Sequence, residues 1–269
     1  MDFVINDGVL EKYTGSSSQV IIPGGVTSIG EWAFQECTSM ESLIIPDSVT
    51  KIGYGAFSEC TALKSVIIPD SITEIDGSTF DQCFALKGVT IPDSVTIIGY
   101  GAFAACTALE SVIIPDSVTA IGFGAFFGCT ALKSVIIPDS VTEIYGDAFS
   151  GCTALKSVII PESVKEIAEH AFQNCTLLEM ITLPDRVRYK DIVEGCTKLT
   201  DADLALFKDR VYDPISAEQI QRQDEEIIKR REEEKRREEE RQRERNAPPP
   251  GRLRFGLADN PAYGMYYDE

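Results

Sequence analysis

The 269-residue chain holds one histidine, His170, and one tryptophan, Trp32. A single imidazole excludes paired-histidine acid–base chemistry and histidine-rich metal sites. Positive charge is also scarce. Against 43 acidic residues stand 25 basic ones, a formal net charge of −18, so a nucleic acid or an anionic membrane would be repelled. No apolar run reaches the ~18 residues a membrane span needs. The first ten residues, MDFVINDGVL, have neither a basic segment nor an apolar core of the signal-peptide kind. What the chain has is a 43% hydrophobic content, enough to expect a buried core.

Self-similarity dominates the rest. Prolines recur at Pro23, Pro46, Pro69, Pro92, Pro115, Pro138, Pro161 and Pro184, a constant interval of 23 residues. Eleven residues after each of the first seven comes a phenylalanine, from Phe34 to Phe172, and fourteen after comes a cysteine, from Cys37 to Cys175. The eighth copy loses two residues and the Ala-Phe pair, placing Cys196 only 21 after Cys175, as expected of a terminal capping repeat. A unit of this length cannot close its own core, so the period predicts a solenoid whose turns bury one another. Leu63-x-x-Val66-x-Ile68 has leucine-rich-repeat spacing, predicting a short strand with alternate residues inward that stacks in parallel on its neighbours. Pro69 ends that strand, and Pro-Asp-Ser predicts a type I turn with proline at its first central position. A second short extended stretch carries Ile72 and Ile75 inward. The Ala-Phe pair and cysteine then form the return path.

The pattern IPDSVTxIGxGAFxxCTxLxSVxIP resembles the BspA-like (Treponema pallidum-type) leucine-rich repeats of bacteria and some anaerobic protists, over roughly residues 20 to 204. The resemblance implies a right-handed superhelix of stacked parallel strands and a surface, adhesion or protein-interaction role. The opening FVINDGVLEKYTG, with Asn6-Asp7-Gly8 as a hairpin signal, is similar to the β cap of many such proteins. The expected organisation is a β cap over 1–22, eight repeats over 23–204 with the last degenerate, a C-terminal cap or connector over 205–214, a charged single α-helix over 215–246 and a disordered Pro/Tyr-containing tail over 247–269.

In each strand the residues between the inward positions face the concave side of such a solenoid. One such column is Ile44, Ile67, Thr90, Ile113, Ile136, Ile159 and Thr182; beside it run Ser65, Ser111, Ser134 and Ser157, with Ser42, Gly88 and Met180 in register. With strands ~4.8 Å apart, these isoleucines would form an apolar stripe edged by hydroxyls, the candidate partner-binding surface. Against this, β-branched residues suit strands anyway, and a register slip of one would bury them. Flanking charges Glu41, Lys64, Lys87, Glu110, Lys133, Lys156 and Glu179 read as a solvated face.

Other columns have simpler expectations. Asp47, Asp70, Asp93, Asp116, Asp139 and Asp185, with Glu162, are turn formers; a stacked carboxylate ladder would be the one place for calcium, but it lacks the carbonyl-rich loop of such sites. The eight cysteines, one per copy, are expected as buried free thiols, consistent with a reducing compartment. Gly53-Tyr54-Gly55, Gly99-Tyr100-Gly101 and Gly122-Phe123-Gly124 lack the following helix and basic residue of a phosphate loop and are read as tight backbone. Trp32, Tyr54, Tyr100 and Phe123 are expected to pack between turns along that edge, the alternative being that they extend a contact surface. His170 has no triad partners.

Beyond Leu204 the composition changes. Residues 205 to 269 carry a net −2, leaving −16 on the first 204. Ser216-x-x-Gln219 reads as a capping box, and pairs such as Glu225 with Lys229 and Glu239 with Arg243 have the favourable i,i+4 order. Asn260, Pro261 and Tyr263 form an NPxY-like tail motif of the kind adaptors read.

These readings predict a non-enzymatic protein-interaction module with no cofactor and no metal, binding a protein partner on the concave face. The alternative is a structural protein that homo-oligomerises through the Ile stripe or the charged helix. The expected location is the cytoplasm, with the cell surface or non-classical secretion as the alternative.

Overall fold

The computed structural model describes residues 2–200 apart from 185, 186 and 190. The expected connector, charged helix and tail, with Asn260, Pro261 and Tyr263, lie outside the described residues, as does Asp185.

The chain opens with the antiparallel hairpin β1 (Phe3–Asn6) and β2 (Val9–Tyr13). Its two-residue turn, Asp7 and Gly8, has φ of 47° and 79°, the left-handed pair that a tight hairpin requires. Every repeat then contributes a three-residue and a two-residue strand. In order these are β3 (Gln19–Ile21), β4 (Ser28–Ile29), β5 (Ser42–Ile44), β6 (Lys51–Ile52), β7 (Ser65–Ile67), β8 (Glu74–Ile75), β9 (Gly88–Thr90) and β10 (Ile97–Ile98). The second half continues with β11 (Ser111–Ile113), β12 (Ala120–Ile121), β13 (Ser134–Ile136), β14 (Glu143–Ile144), β15 (Ser157–Ile159), β16 (Glu166–Ile167), β17 (Met180–Thr182) and β18 (Arg188–Tyr189). The longer strands form one parallel eight-stranded sheet from β3 to β17. The shorter ones form two sheets, β1-β2-β4-β6 and β8 through β18. The result is a parallel β solenoid of about eight turns.

Alternation within each strand sets what is inside. In β7 Val66 is buried while Ser65 and Ile67 are exposed, and Leu63, Ile68, Ile72 and Ile75 all point into the core. The turn after the strand differs from the expected one. Val49 donates to the carbonyl of Pro46, and Val95, Val118 and Val141 do the same with Pro92, Pro115 and Pro138. Proline therefore sits at the first corner of the turn, not at its first central position. Lacking an N–H it cannot extend the ladder, but its carbonyl still accepts the closing bond. The serine of the same turn ties it to the preceding repeat, as Ser117 Oγ does by donating to the Val95 carbonyl at 2.6 Å.

The return path is a third ladder without strands. The N–H groups of Trp32, Phe34 and Glu36 donate to the carbonyls of Tyr54, Ala56 and Ser58 in the next turn, while those of Gln35 and Cys37 close local bonds to residues three back. Two columns of this path, four residues apart, are left-handed: Trp32, Gly55, Ser78, Gly101, Gly124, Asp147, His170 and Asp191, and Glu36, Glu59, Gln82, Ala105, Gly128, Gly151, Asn174 and Gly195.

Between these columns the phenylalanines stack. From Tyr13 through Phe34, Phe57, Phe80, Phe103, Phe126, Phe149 and Phe172, successive ring centroids are 5.2 to 5.4 Å apart. All seven phenylalanines are fully buried. Stacked aromatic pairs contribute about 0.5–1.5 kcal/mol each beyond area burial, and Tyr13 lets the N-terminal hairpin join the column.

The left-handed columns generate a reciprocal test. A Cβ on Gly128 would meet nothing closer than 3.8 Å, so Gly128→Ala isolates the backbone cost at φ 68°. It should destabilise by about 1 kcal/mol, and Ala105→Gly, at φ 54° one turn earlier, should stabilise by about the same. Shifts of urea midpoint in opposite directions are the expected result; shifts of the same sign would refute the assignment.

Candidate functional site

The outward residues of the eight-stranded sheet form a regular surface that passes through all eight strands. Ile44, Ile67, Ile113, Ile136 and Ile159 are 54%, 71%, 74%, 72% and 63% exposed, so the register is the one that turns them to solvent. The pairing places Ile44 beside Ile67 and Ile113 beside Ile136, with Thr90 separating the two groups. Ser65, Ser111 and Ser134 are exposed and Ser157 half-buried on the same face. Their side chains point out because the strand period of two that buries Val66, Val112, Val135 and Val158 leaves both neighbours outside.

Two residues extend this face. Ile21 in β3 is 65% exposed and lies in register with Ile44; Met180 in β17 is 50% exposed and pairs with Ser157. Gln19-Val20-Ile21-Ile22-Pro23 carries the repeat's own strand pattern, so counting from the proline hid a strand belonging to the same column. Beside the stripe, Lys64 Nζ lies 2.8 Å from Glu41 and Lys133 Nζ 2.6 Å from Glu110. Four of these flanking charges, Glu41, Lys64, Glu110 and Lys133, thus form exposed ion pairs from turn to turn, where solvent screening leaves little net stabilisation.

At the opposite corner, the edge aromatics pack and stay accessible. Trp32 meets Tyr54 edge-on at 5.1 Å, and Tyr100 stacks on Phe123 at 5.7 Å. Glycines in the following turn make room for these rings: a Cβ on Gly77 would fall 2.8 Å from the Tyr54 ring, and one on Gly55 2.3 Å from Trp32. Phe127, 49% exposed, follows the buried Phe126, and Phe84, 42% exposed, follows the buried Cys83; neither had a signal of its own, since the residue before each is itself apolar.

The remaining candidates are structural in their contacts. Asp47, Asp70, Asp93, Asp116, Asp139 and Glu162 are exposed, and among the described residues no group of three or more His, Cys, Asp or Glu could hold a metal ion. His170 Nε2 lies 3.9 Å from Glu194, half out of the surface. Among the described residues no helix is long and apolar enough to cross a membrane. All eight cysteines are free, seven of them buried. Each thiol from Cys60 onward donates to the carbonyl of the previous turn's phenylalanine, as Cys106 does to Phe80 at 3.2 Å and Cys196 to Phe172 at 3.1 Å. Burial raises Cys83 and Cys129, both pushed up to about 12.

This geometry defines a leucine-rich-repeat solenoid, a class of proteins that are in general interaction modules and non-enzymatic scaffolds. The profile of the BspA type leucine rich repeat region matches in six copies over residues 5–133 and 96–205, and the chain belongs to that family. A leucine-rich repeat protein from Bacteroides ovatus is 34% identical with a TM-score of 0.64, the match covering 70% of this chain. The chain spans 55% of the length of that protein. The Treponema pallidum leucine rich repeat protein is 30% identical with a TM-score of 0.58, over 76% of this chain and 88% of its own. No curated protein matches.

The thiol column makes a pH prediction. A folded pKa of about 12 for Cys129, against an ordinary value of 9.0, means that its stabilising effect is complete below pH 9 and is lost as pH rises from 9 towards 12. Over that window Cys129→Ala should flatten the fall of stability by about 1.4 kcal/mol per pH unit. At pH 8 a thiol reagent should count half-buried Cys37 rapidly and the other seven only at the rate of unfolding. Rapid reaction of all eight would contradict the burial.

Proposed function

We propose that the chain is a non-enzymatic interaction module that binds a protein partner on the outer face of its eight-stranded sheet. The observation that carries this reading is the exposed isoleucine column, with five members at 54% or more held at strand spacing by parallel pairing. Exposed apolar residues in register along one sheet face favour an interaction surface, and the serine column beside them offers hydroxyls for directional contacts. Each isoleucine that a partner buries fully contributes about 1.5–3 kcal/mol. The same stripe would serve self-association if the partner were a second copy.

The test is a triple variant, Ile113→Lys, Ile136→Lys and Ile159→Lys, compared with the unaltered chain in partner capture and in sedimentation over a concentration series. Because these residues point to solvent, the melting temperature should hold. Affinity for a captured partner should fall by about 100-fold or more, the equivalent of ~2.7 kcal/mol. A partner retained at full affinity would refute the assignment, and concentration-dependent mass abolished by the lysines would identify the partner as the chain itself.

A further inference from the structure

The corner opposite the sheet face holds a groove of about 300 Å³ that runs across four successive turns. Tyr100 and Phe123 form one wall, their rings parallel to within 6°, and Phe127 forms the other. The floor is Gly101, Gly124 and Ala104. Both glycines belong to the left-handed column, at φ 55° and 58°, so the backbone geometry that stacks the turns also keeps the floor free of large side chains. Each end of the groove carries a carboxylate, Asp81 with Ser78 two turns before Phe127 and Asp147 one turn after it. Three turns separate the two carboxylates, about 14 Å along the axis at ~4.8 Å per turn.

Among the described residues neither carboxylate is held by a basic side chain. Asp147 is half-buried, and none of the ion pairs or side-chain hydrogen bonds of the described residues involves it. Asp81 accepts one long bond, from Gln82 Nε2 at 3.3 Å. Burial above all, aided by the charge of Glu59, raises Asp81 against the lowering effect of that bond. Each would gain from a cation at the mouth of the groove, and the aromatic walls between them attract both methylenes and positive charge.

We propose that this groove binds a linear polyamine of spermidine or spermine length, its terminal ammonium groups at Asp81 and Asp147 and its methylene chain along Tyr100, Phe123 and Phe127. The arrangement matches the ligand part by part: two separated negative ends, an apolar aromatic middle, and a small-residue floor that admits a thin chain. A diamine too short to bridge the ends satisfies one carboxylate only, and a monoamine lacks the second charge. The site is independent of the isoleucine face.

The experiment is calorimetric titration of the full chain, at low and physiological ionic strength, with putrescine, spermidine, spermine and octylamine. A chain this acidic attracts polyamines without a site, so two charge-matched variants are compared: Asp81→Asn with Asp147→Asn, and Asp116→Asn with Asp139→Asn on the exposed turns. Spermidine and spermine should bind at one site, at least tenfold more tightly than putrescine or octylamine. The Asp81/Asp147 variant should lose tenfold or more in affinity and the Asp116/Asp139 variant should be unchanged. Phe127→Ala, at an exposed position, should weaken binding several-fold with an unaltered melting temperature. Equal losses in both charge variants, octylamine binding as tightly as spermidine, or no saturable site at physiological ionic strength would each overturn the proposal.

Discussion

A solenoid turn must satisfy its backbone along the axis on every side, including the side that is not a strand. The return path does so by alternating local bonds with bonds to the next turn, and each repeat carries two left-handed residues along it. The buried phenylalanine sits between them. Its ring stacks on those above and below because both flanking N–H groups hold the backbone at fixed spacing. The thiol three residues later reaches the previous turn's phenylalanine carbonyl, which would otherwise keep a lone pair buried without a donor. Core, hydrogen bonds and turn spacing all rest on this one stretch.

Non-glycine residues in these columns show how firmly the constraint holds. Trp32, Glu36, Glu59, Ser78, Gln82, Ala105, Asp147, His170 and Asn174 all adopt positive φ, at a cost of roughly 1–2 kcal/mol for an ordinary side chain. Stacking on both sides outweighs that cost. His170, the only histidine, is one of them, with its Nε2 3.9 Å from Glu194.

Much of this was legible in the sequence. Constant spacing gave the period, the strand pattern gave the inward residues Val66, Ile68, Ile72 and Ile75, and alternation gave the exposed face with Ile113 and Ser111 on it. Three features were not. Proline's place in the turn depends on which carbonyl closes it, and residue preference does not distinguish the two registers. The left-handed column was visible only where glycine fills it, at Gly55, Gly101 and Gly124, and was hidden where Ser78, Asp147 and His170 do. The aromatic groove joins residues from four turns, Asp81, Tyr100, Phe127 and Asp147, whose proximity comes from stacking and has no local pattern.

The three ladders that join the turns also set how the solenoid answers a pull along its axis. Their bonds run along the axis, so tension loads the bonds of each interface together and all interfaces equally, in series. The interface with the fewest bonds opens first, and the solenoid peels from there. Between β6 and β8 the short-strand ladder is interrupted while the long-strand sheet continues, and between β13 and β15 the long-strand pairing thins to Ser134 with Ser157. Each turn that lets go releases 23 residues of slack, about 80 Å of extended chain, while the turns still stacked keep their shape.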